Sequence, residues 1–511
     1  MSDRFYITTP IYYVNGAPHI GHAYTSLAAD VLARWMRLDG RDVFFLTGTD
    51  EYGQKVEKAA HDAGLEPQAF TDRVSADFRD MAAQMGISYD DYIRTTEPRH
   101  HAACKALWLK LVESGDIYLG EYEGWYSLRD ETFFNDDELV TRPDGTRVSP
   151  FGAPVEWVRE ANYLFRLSAW QERLLAFYEA NPDFLSPSGI RNEILSFVRG
   201  GLTDLSVSRA TLRWGIPVPN DPAQVMYVWL DALTNYLTAT GWPDPAAPRA
   251  AFWPADLHMV GKDIARFHMV YWPAFLMAAG LPPPRRVFAG GWWTVEGEKM
   301  SKSVGNVIDP RTMVAEFGLD AVRFFLLREM PFGNDGDYSR RALIGRMNSE
   351  LANDLGNLAQ RSLSLIAKNC EGCLPEIGPA TDDDSELRAA AAALPDLMRP
   401  RLNRQAYHEA LEEAWKVIRA ANAYIDRQAP WALRKTDPAR MAAVLRVLAD
   451  VIRGVATVLQ PFMPGSMAAM LDQLGVPHSE RSLKALATPL PGGIVLPPPQ
   501  GVFPRFVEDA A

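Results

Sequence analysis

Residues 4–53 read RFYITTPIYYVNGAPHIGHAYTSLAADVLARWMRLDGRDVFFLTGTDEYG. Residues 4–14 are β-branched and aromatic, a pattern that predicts a strand. Asn15-Gly-Ala-Pro18 is a turn. From His19 onward Ala23, Leu27, Val31 and Trp35 recur at helical spacing, and Gly40 stops the run, so the spacing predicts a helix. The stretch from Arg41 to Gly53 then reads as a second buried strand ending in a polar, glycine-containing turn. Strand, helix and strand in such short order imply a parallel α/β sheet.

Outward from this unit the rhythm changes twice. Residues 117–160 hold aromatics, DDE, RPDG and SPFGAP, as a small hairpin-rich insertion would, and the helical pattern resumes near Leu164. Sheet-like segments return at 217–232, 256–267 and 285–295. From about residue 339 the chain reads as an antiparallel helical bundle, with Leu351, Leu355, Leu358 and Ser362 on one side of its first helix. The tail LPPPQGVFPRF is expected to pack as an extended strap. The expected divisions are 1–117 and 161–284 for the two halves of an α/β catalytic domain, 118–160 for the insertion, 285–338 for a loop and stem-contact region, and 339–511 for the helical domain and strap.

Composition narrows the setting. The 511 residues are 47% hydrophobic and 23% charged, with 52 Lys+Arg against 64 Asp+Glu. A net charge of −12 argues against a surface that is basic throughout, so any nucleic-acid contact is local. Residues 340–460 carry 17 Lys+Arg and 15 Asp+Glu, whereas residues 1–339 carry 32 and 45. The helical part is the better place for RNA. Three cysteines point to a reducing compartment. The start lacks a basic segment before an apolar run, and no apolar run reaches membrane-spanning length, so a cytoplasmic protein without a membrane partner is expected.

Two short motifs carry chemistry. His19-Ile-Gly-His22 follows a strand and opens a helix, where free N–H groups and the helix dipole suit phosphate. Imidazoles there can donate to phosphate oxygens as charge shifts, and Gly21 lets a flat base or ribose approach the backbone. Lys299-Met-Ser-Lys-Ser303 places two ammonium groups and small residues on a loop.

HIGH early and KMSKS late, in one α/β chain, resemble the class I aminoacyl-tRNA synthetases. ITTPIYYVNGAPHIGH, YVWLDALTNY (227–236) and GKDIARFHMVYWPA (261–274) resemble the methionyl-tRNA synthetases in particular, over nearly the whole chain. The resemblance implies a Rossmann-type catalytic domain followed by an all-α anticodon-binding domain. It implies a methionine–tRNA ligase that forms methionyl-adenylate from L-methionine and ATP, with Mg²⁺ on the triphosphate, then charges tRNA(Met), initiator and elongator. It assigns His19, His22, Lys299 and Lys302 to catalysis, with Ser301 and Ser303 helping the loop close. Gly21, Gly261, Asp263, Trp293 and Lys302 fall on ATP. Ile11, Tyr13, Trp229, Ala232, Leu233, Tyr236, Phe267, His268 and Trp272 wall the methionine side chain, and Asp50 meets its ammonium. Aromatic walls suit a polarizable thioether. Arg209 falls near the reacting centre. Asn357, Arg361 and Trp431 match the residues that read the CAU anticodon, and stacking with base-edge hydrogen bonds is how splayed loops are read.

Departures from the family matter as well. Leu233 stands where relatives often have proline. Residues 118–160 contain no cysteine, so no structural zinc is expected there, and Trp125, Tyr126, Phe133, Phe134 and Trp157 must hold the insertion by packing. Cys370 and Cys373 form a lone CxxC without a second pair. The chain ends soon after the bundle, so a monomer is expected. Three rivals are a cysteinyl sister enzyme, which would need more thiolates than Cys104 offers, a nucleotidyltransferase that uses HxGH without touching tRNA, and a catalytically dead RNA-binding homologue, against which the intact HIGH and KMSKS argue.

Overall fold

The computed structural model describes residues 3–129, 132–295, 297–299 and 307–507. Six parallel strands form the central sheet: β1 (Arg4–Tyr13), β2 (Asp42–Asp50), β3 (Asp91–Arg94), β4 (Leu185–Ser186), β5 (Leu257–Gly261) and β6 (Val287–Gly290). Their order is β3-β2-β1-β5-β6-β4. The order reverses between β1 and β5, which opens a crevice at the carboxyl ends of those strands, where ligands of such sheets bind.

Helix α1 (Ile20–Leu38) fills the first crossover. Its start is set by its own histidines: Gly21 N donates to His19 Nδ1 at 3.1 Å, and His19 N donates to His22 Nδ1 at 3.1 Å. This reciprocal capping does with imidazoles what Ser and Glu usually do. Its end is a left-handed Gly40 (φ 86°), whose N–H bonds Arg37 O. The β1–β2 register shifts between Thr8 and Ile11, around Pro10, which has no N–H to give. The shift re-aims Ile11 and Tyr13 at the end of β1.

Helix α2 (Pro98–Glu113) packs on α3 (Val228–Thr238). Residues 228–232, expected as sheet, form the first turn of α3. Strand stops at Met226 because α3 is buried all round, so its Val, Trp and Leu residues mimic a buried strand. Likewise only Leu257–Gly261 of the segment 256–267 is extended, and Phe267–Tyr271 is a π-helical turn. The insertion is an antiparallel sheet of Ile117–Ser127, Thr132–Phe134, Glu156–Phe165 and Leu205–Ser206. Its long strand runs through Leu164 to Phe165, and α-helix begins only at Gln171 after a 3-10 turn at Leu167–Trp170, because Glu156–Phe165 stays paired with Ile117–Tyr126. Tyr126 and Phe134 are buried, but Trp157 is 52% exposed and stacks edge-on against Trp125, so it contributes less than the composition suggested.

The helical part contains α4 (Leu319–Arg328), α5 (Asn357–Asn369), α6 (Tyr407–Gln428) and α7 (Pro438–Leu459). A π-wound stretch, Met347–Gly356, leads into α5. Leu351, Leu355, Leu358 and Ser362 are all buried. Tyr407 donates its hydroxyl to Ala28 O at 2.7 Å, docking α6 on the middle of α1. The tail runs back extended, with Phe506 and Asn348 exchanging hydrogen bonds at 2.8 and 3.0 Å.

Candidate active site

The sequence-marked residues gather at the carboxyl end of the sheet. His19 and His22 stack with ring centroids 3.8 Å apart at the mouth of α1. Both Nδ1 atoms accept backbone N–H groups, so in the neutral form each ring carries its proton on Nε2. The pair presents donors rather than lone pairs, as phosphate requires. A Cβ on residue 21 would sit 3.0 Å from His19 Cε1 and 3.1 Å from Nδ1, so Gly21 is what lets the ring fold back over the helix start. Tyr12 and Phe78 hold His22 edge-on.

The described residues on either side of the KMSKS segment rest on α1. Trp293–Val295 pairs with Glu298–Lys299 in a hairpin and with Gly336–Tyr338 in parallel. Trp293 is buried and packs edge-on against Tyr24 of α1 at 5.2 Å. On the far side, Ile308 O accepts the N–H of Ile20 at 3.0 Å. Both anchors therefore rest on α1. Lys299 is described in its backbone only, and Ser301, Lys302 and Ser303 lie outside the described residues.

Gly261 and Asp263 follow β5. A Cβ at Gly261 would meet Asp263 Oδ1 at 2.5 Å, so the carboxylate lies over the glycine, exposed to the crevice. Lys262 is not loose on the surface: it bonds both Asp335 oxygens, at 2.6 and 2.7 Å, and sits 3.8 Å above Trp292.

On the other side lies a cluster of aromatic side chains. Trp229 and Phe267 stack 3.5 Å apart at 7°. Ala232, Leu233 and Tyr236 of α3 and Trp272 are buried, with Ile11 packed against the same cluster. The π turn carries Phe267 and His268; such turns re-aim side chains without ending the helix. His268 Nδ1 donates to Ile264 O at 3.0 Å, so its Nε2 accepts the Tyr236 hydroxyl at 2.8 Å. Burial pushes the His268 pKa down to about 4, so the ring is neutral at pH 7. Asp50 ends β2 in register with Tyr13 and is 3% exposed. Burial raises the Tyr236 hydroxyl pKa, with the Asp50 charge a smaller contribution. Tyr13 donates to Tyr52 O at 3.0 Å. Arg209 lies at the base of the insertion, over Tyr126 at 4.5 Å and Phe133 at 5.5 Å.

Residues 5–363 match the family model described as tRNA synthetases class I (M), and residues 374–511 match the anticodon binding domain of methionyl tRNA ligase. The chain belongs to the methionyl-tRNA synthetases of class I. It is 56% identical to the methionine–tRNA ligase of Rhizobium meliloti (strain 1021), over 100% of this chain and 99% of that one. The Brucella suis biovar 1 enzyme is 55% identical over 99% and 98%. The Mycobacterium tuberculosis methionyl-tRNA synthetase in complex with methionyl-adenylate superimposes with a TM-score of 0.96 at 52% identity, covering 99% of this chain and all of that one. The apo form of the same enzyme gives 0.90 at 48%, over 100% and 99%. Membership in the methionyl family through the helical domain disfavours both the cysteinyl and the nucleotidyltransferase alternatives.

The anticodon candidates sit in the helical domain. Asn357 is exposed at the start of α5, and Arg361 follows one turn later. The Arg361 guanidinium lies 5.3 Å from the Trp431 ring and bonds Asp426 at 2.7 Å. Trp431 is 48% exposed on the short helix Pro430–Thr436. An exposed indole beside a guanidinium is a stacking surface for a base.

Sequence reasoning passed over several buried polar groups. Glu51, next to Asp50, is fully buried and held by Arg94 at 2.6 and 3.0 Å and by Thr49 and Thr96. Among the described residues, one group has metal-ligand chemistry: His100, Cys104 and Asp231. Its donors face each other, with His100 Nε2 2.7 Å from Asp231 Oδ1 and 3.2 Å from Cys104 Sγ. The available signal was a charged residue inside the apolar run VWLDAL, with two histidines opening an earlier helix.

Proposed function

We propose that the two anchored ends of the flap and the mouth of α1 divide the work of methionine activation. ATP arrives with Mg²⁺ and lies across the crevice between β1 and β5. Gly21 and Gly261 allow its base and ribose close to the backbone, Asp263 takes ribose hydroxyls, and the Trp293 backbone faces adenine. Methionine enters the aromatic cluster, with its thioether between Trp229, Phe267, Leu233 and Tyr236 and its ammonium on Asp50. Its carboxylate attacks the α-phosphorus in line, forming the acyl–phosphate bond as the bond to pyrophosphate breaks. The Nε2–H groups of His19 and His22 and the ammonium groups of Lys299 and Lys302 stabilise the charge that builds on the phosphates. Arg209, at the base of the insertion, lies toward the reacting centre. The terminal adenosine of tRNA(Met), initiator or elongator, then attacks the adenylate carbonyl and releases AMP.

The observation that carries this reading is the 3.0 Å bond from Ile20 N to Ile308 O, which ties the flap's return to the phosphate end of α1. Asn357, Arg361 and Trp431 read the CAU anticodon. The insertion is held by aromatic packing instead of zinc, and the chain works as a cytoplasmic monomer. Among the described residues no helix is long and apolar enough to cross a membrane.

The experiment is methionine-dependent ATP–pyrophosphate exchange, followed by charging of a CAU-anticodon tRNA and of an anticodon variant. Exchange with methionine and not cysteine, and charging of the CAU tRNA alone, is the expected result. Trp431→Ala lowers charging and leaves exchange intact. Exchange lost in Trp431→Ala, or equal charging of both tRNAs, would overturn the division between the two ends.

A further inference from the structure

Helix α3 has two faces. Trp229, Leu233 and Tyr236, spaced by four and three, lie on the face that meets Phe267, His268 and Trp272, the residues assigned to methionine. Asp231, Thr234 and Thr238, spaced by three and four, lie on the opposite side. That back face meets α2 through His100, which is fully buried. His100 Nδ1 is 3.0 Å from Thr238 Oγ1, and His100 Nε2 is 2.7 Å from Asp231 Oδ1.

With the Thr238 hydroxyl donating to Thr234 O at 3.1 Å, its oxygen accepts from His100. Nδ1 therefore carries a proton, and a second proton lies between Nε2 and Asp231. Whichever partner holds it, the pair has no net charge, which is how it tolerates a dry interior. Cys104, one turn along α2, packs on both partners, with Sγ 3.2 Å from His100 Nε2 and 3.8 Å from Asp231 O.

The next residue reaches the opposite wall. His101 Nε2 meets the Tyr52 hydroxyl at 2.8 Å, and Tyr52 O accepts the Tyr13 hydroxyl. Adjacent histidines of α2 thus hold the helix that carries the methionine-assigned side chains and the segment that follows Asp50. A helix buried on every side gains little from rolling one way or another by apolar contact alone. A directional polar contact on its back fixes the roll.

We propose that His100 and Asp231 are a positioning pair for methionine recognition: by fixing the rotation of α3 they set the cavity wall, while ATP handling does not depend on them. The inference rests on the methionine-cavity assignment made above, so one control tests that assignment separately.

The experiment compares the full-length chain with His100→Ala, His100→Gln and Leu233→Ala in ATP–pyrophosphate exchange, with folding checked by circular dichroism. In His100→Ala the methionine KM rises roughly tenfold or more while the ATP KM stays within about twofold, a split that general loosening of the fold would not give. The Gln amide reaches Asp231 from the Nε2 position and restores the methionine KM to within about threefold of the parent. A methionine KM within about twofold of the parent in folded His100→Ala, a parallel rise in both KM values, or a Gln variant no better than Ala would each overturn the pair's role. If His100→Ala does not fold, Thr238→Val, which removes the Nδ1–H acceptor at constant volume, carries the same test. If Leu233→Ala leaves the methionine KM unchanged, the cavity assignment itself fails.

Discussion

Replacing Arg323 by Leu tests how the catalytic helix is joined to the rest of the enzyme. Arg323 of α4 is 0% exposed and spends its guanidinium on three parts of the chain. It bonds Asp30 of α1 at 2.7 Å, Met85 O at 2.9 Å, and Pro461 O and Phe462 O, just past α7, at 2.8 and 3.0 Å. Burial opposes its charge, and Asp30 restores part of it. Asp30 keeps Arg34 and Ser88 in the variant, but three buried carbonyls lose their donor. Removing one partner of a buried ion pair costs about 3–5 kcal/mol. Each orphaned carbonyl adds about 1 kcal/mol, offset by the burial of the leucine, so the net loss is about 4 kcal/mol. Urea denaturation of the full-length chain, followed by circular dichroism, reads it as a shift of the least stable transition. Because α1 loses one of its ties to the helical domain and keeps the Tyr407 contact, tRNA charging falls more than pyrophosphate exchange. A loss below about 1 kcal/mol with charging unchanged would refute the reasoning, since that is the size of an ordinary surface substitution.

Two further outcomes follow from the site. Gly21→Ala puts a Cβ against the His19 ring, swings it from its capping position, and lowers pyrophosphate exchange by about 10²-fold, the usual loss of one charge-stabilising donor, at unchanged methionine affinity; stopped-flow binding and exchange assays separate the two. The folded His268 pKa, about 4, lies below its unfolded value, so the unfolded chain binds the proton first as pH falls. Stability contributed by the neutral ring is present above about pH 6.5 and is lost toward pH 4 at up to about 1.4 kcal/mol per unit. Urea titrations at several pH values show this slope, and His268→Gln reduces it.

Much of the catalytic end was legible because its signals are local. Capping by His19 and His22, the turn at Asn15-Gly16 and the stop at Gly40 are each set within a few residues. The alternation of strand and helix fixed a parallel sheet for the same reason. Helix α3 was not legible: with Val228, Leu230 and Leu237 buried on every side it shows no apolar stripe, and its β-prone start reads as strand. The continuation of the insertion strand through Leu164 depends on Tyr118, 46 residues earlier in sequence and beyond any local window. Buried polar groups were the least legible. Arg323, Glu51 and His100 look like surface residues until partners 293, 43 and 131 residues away are placed against them.

The central claim is that the α1 imidazoles and the flap ammonium act on one nucleotide. Its most direct test is methionine-dependent ATP–pyrophosphate exchange in His22→Ala, Lys302→Ala and the double variant. Each single change is expected to cost about 10²-fold or more with methionine affinity held, and the double variant to lose less than the product of the two, as groups sharing a transition state do. Exchange that survives either single change, or losses that simply multiply in the double variant, would contradict it.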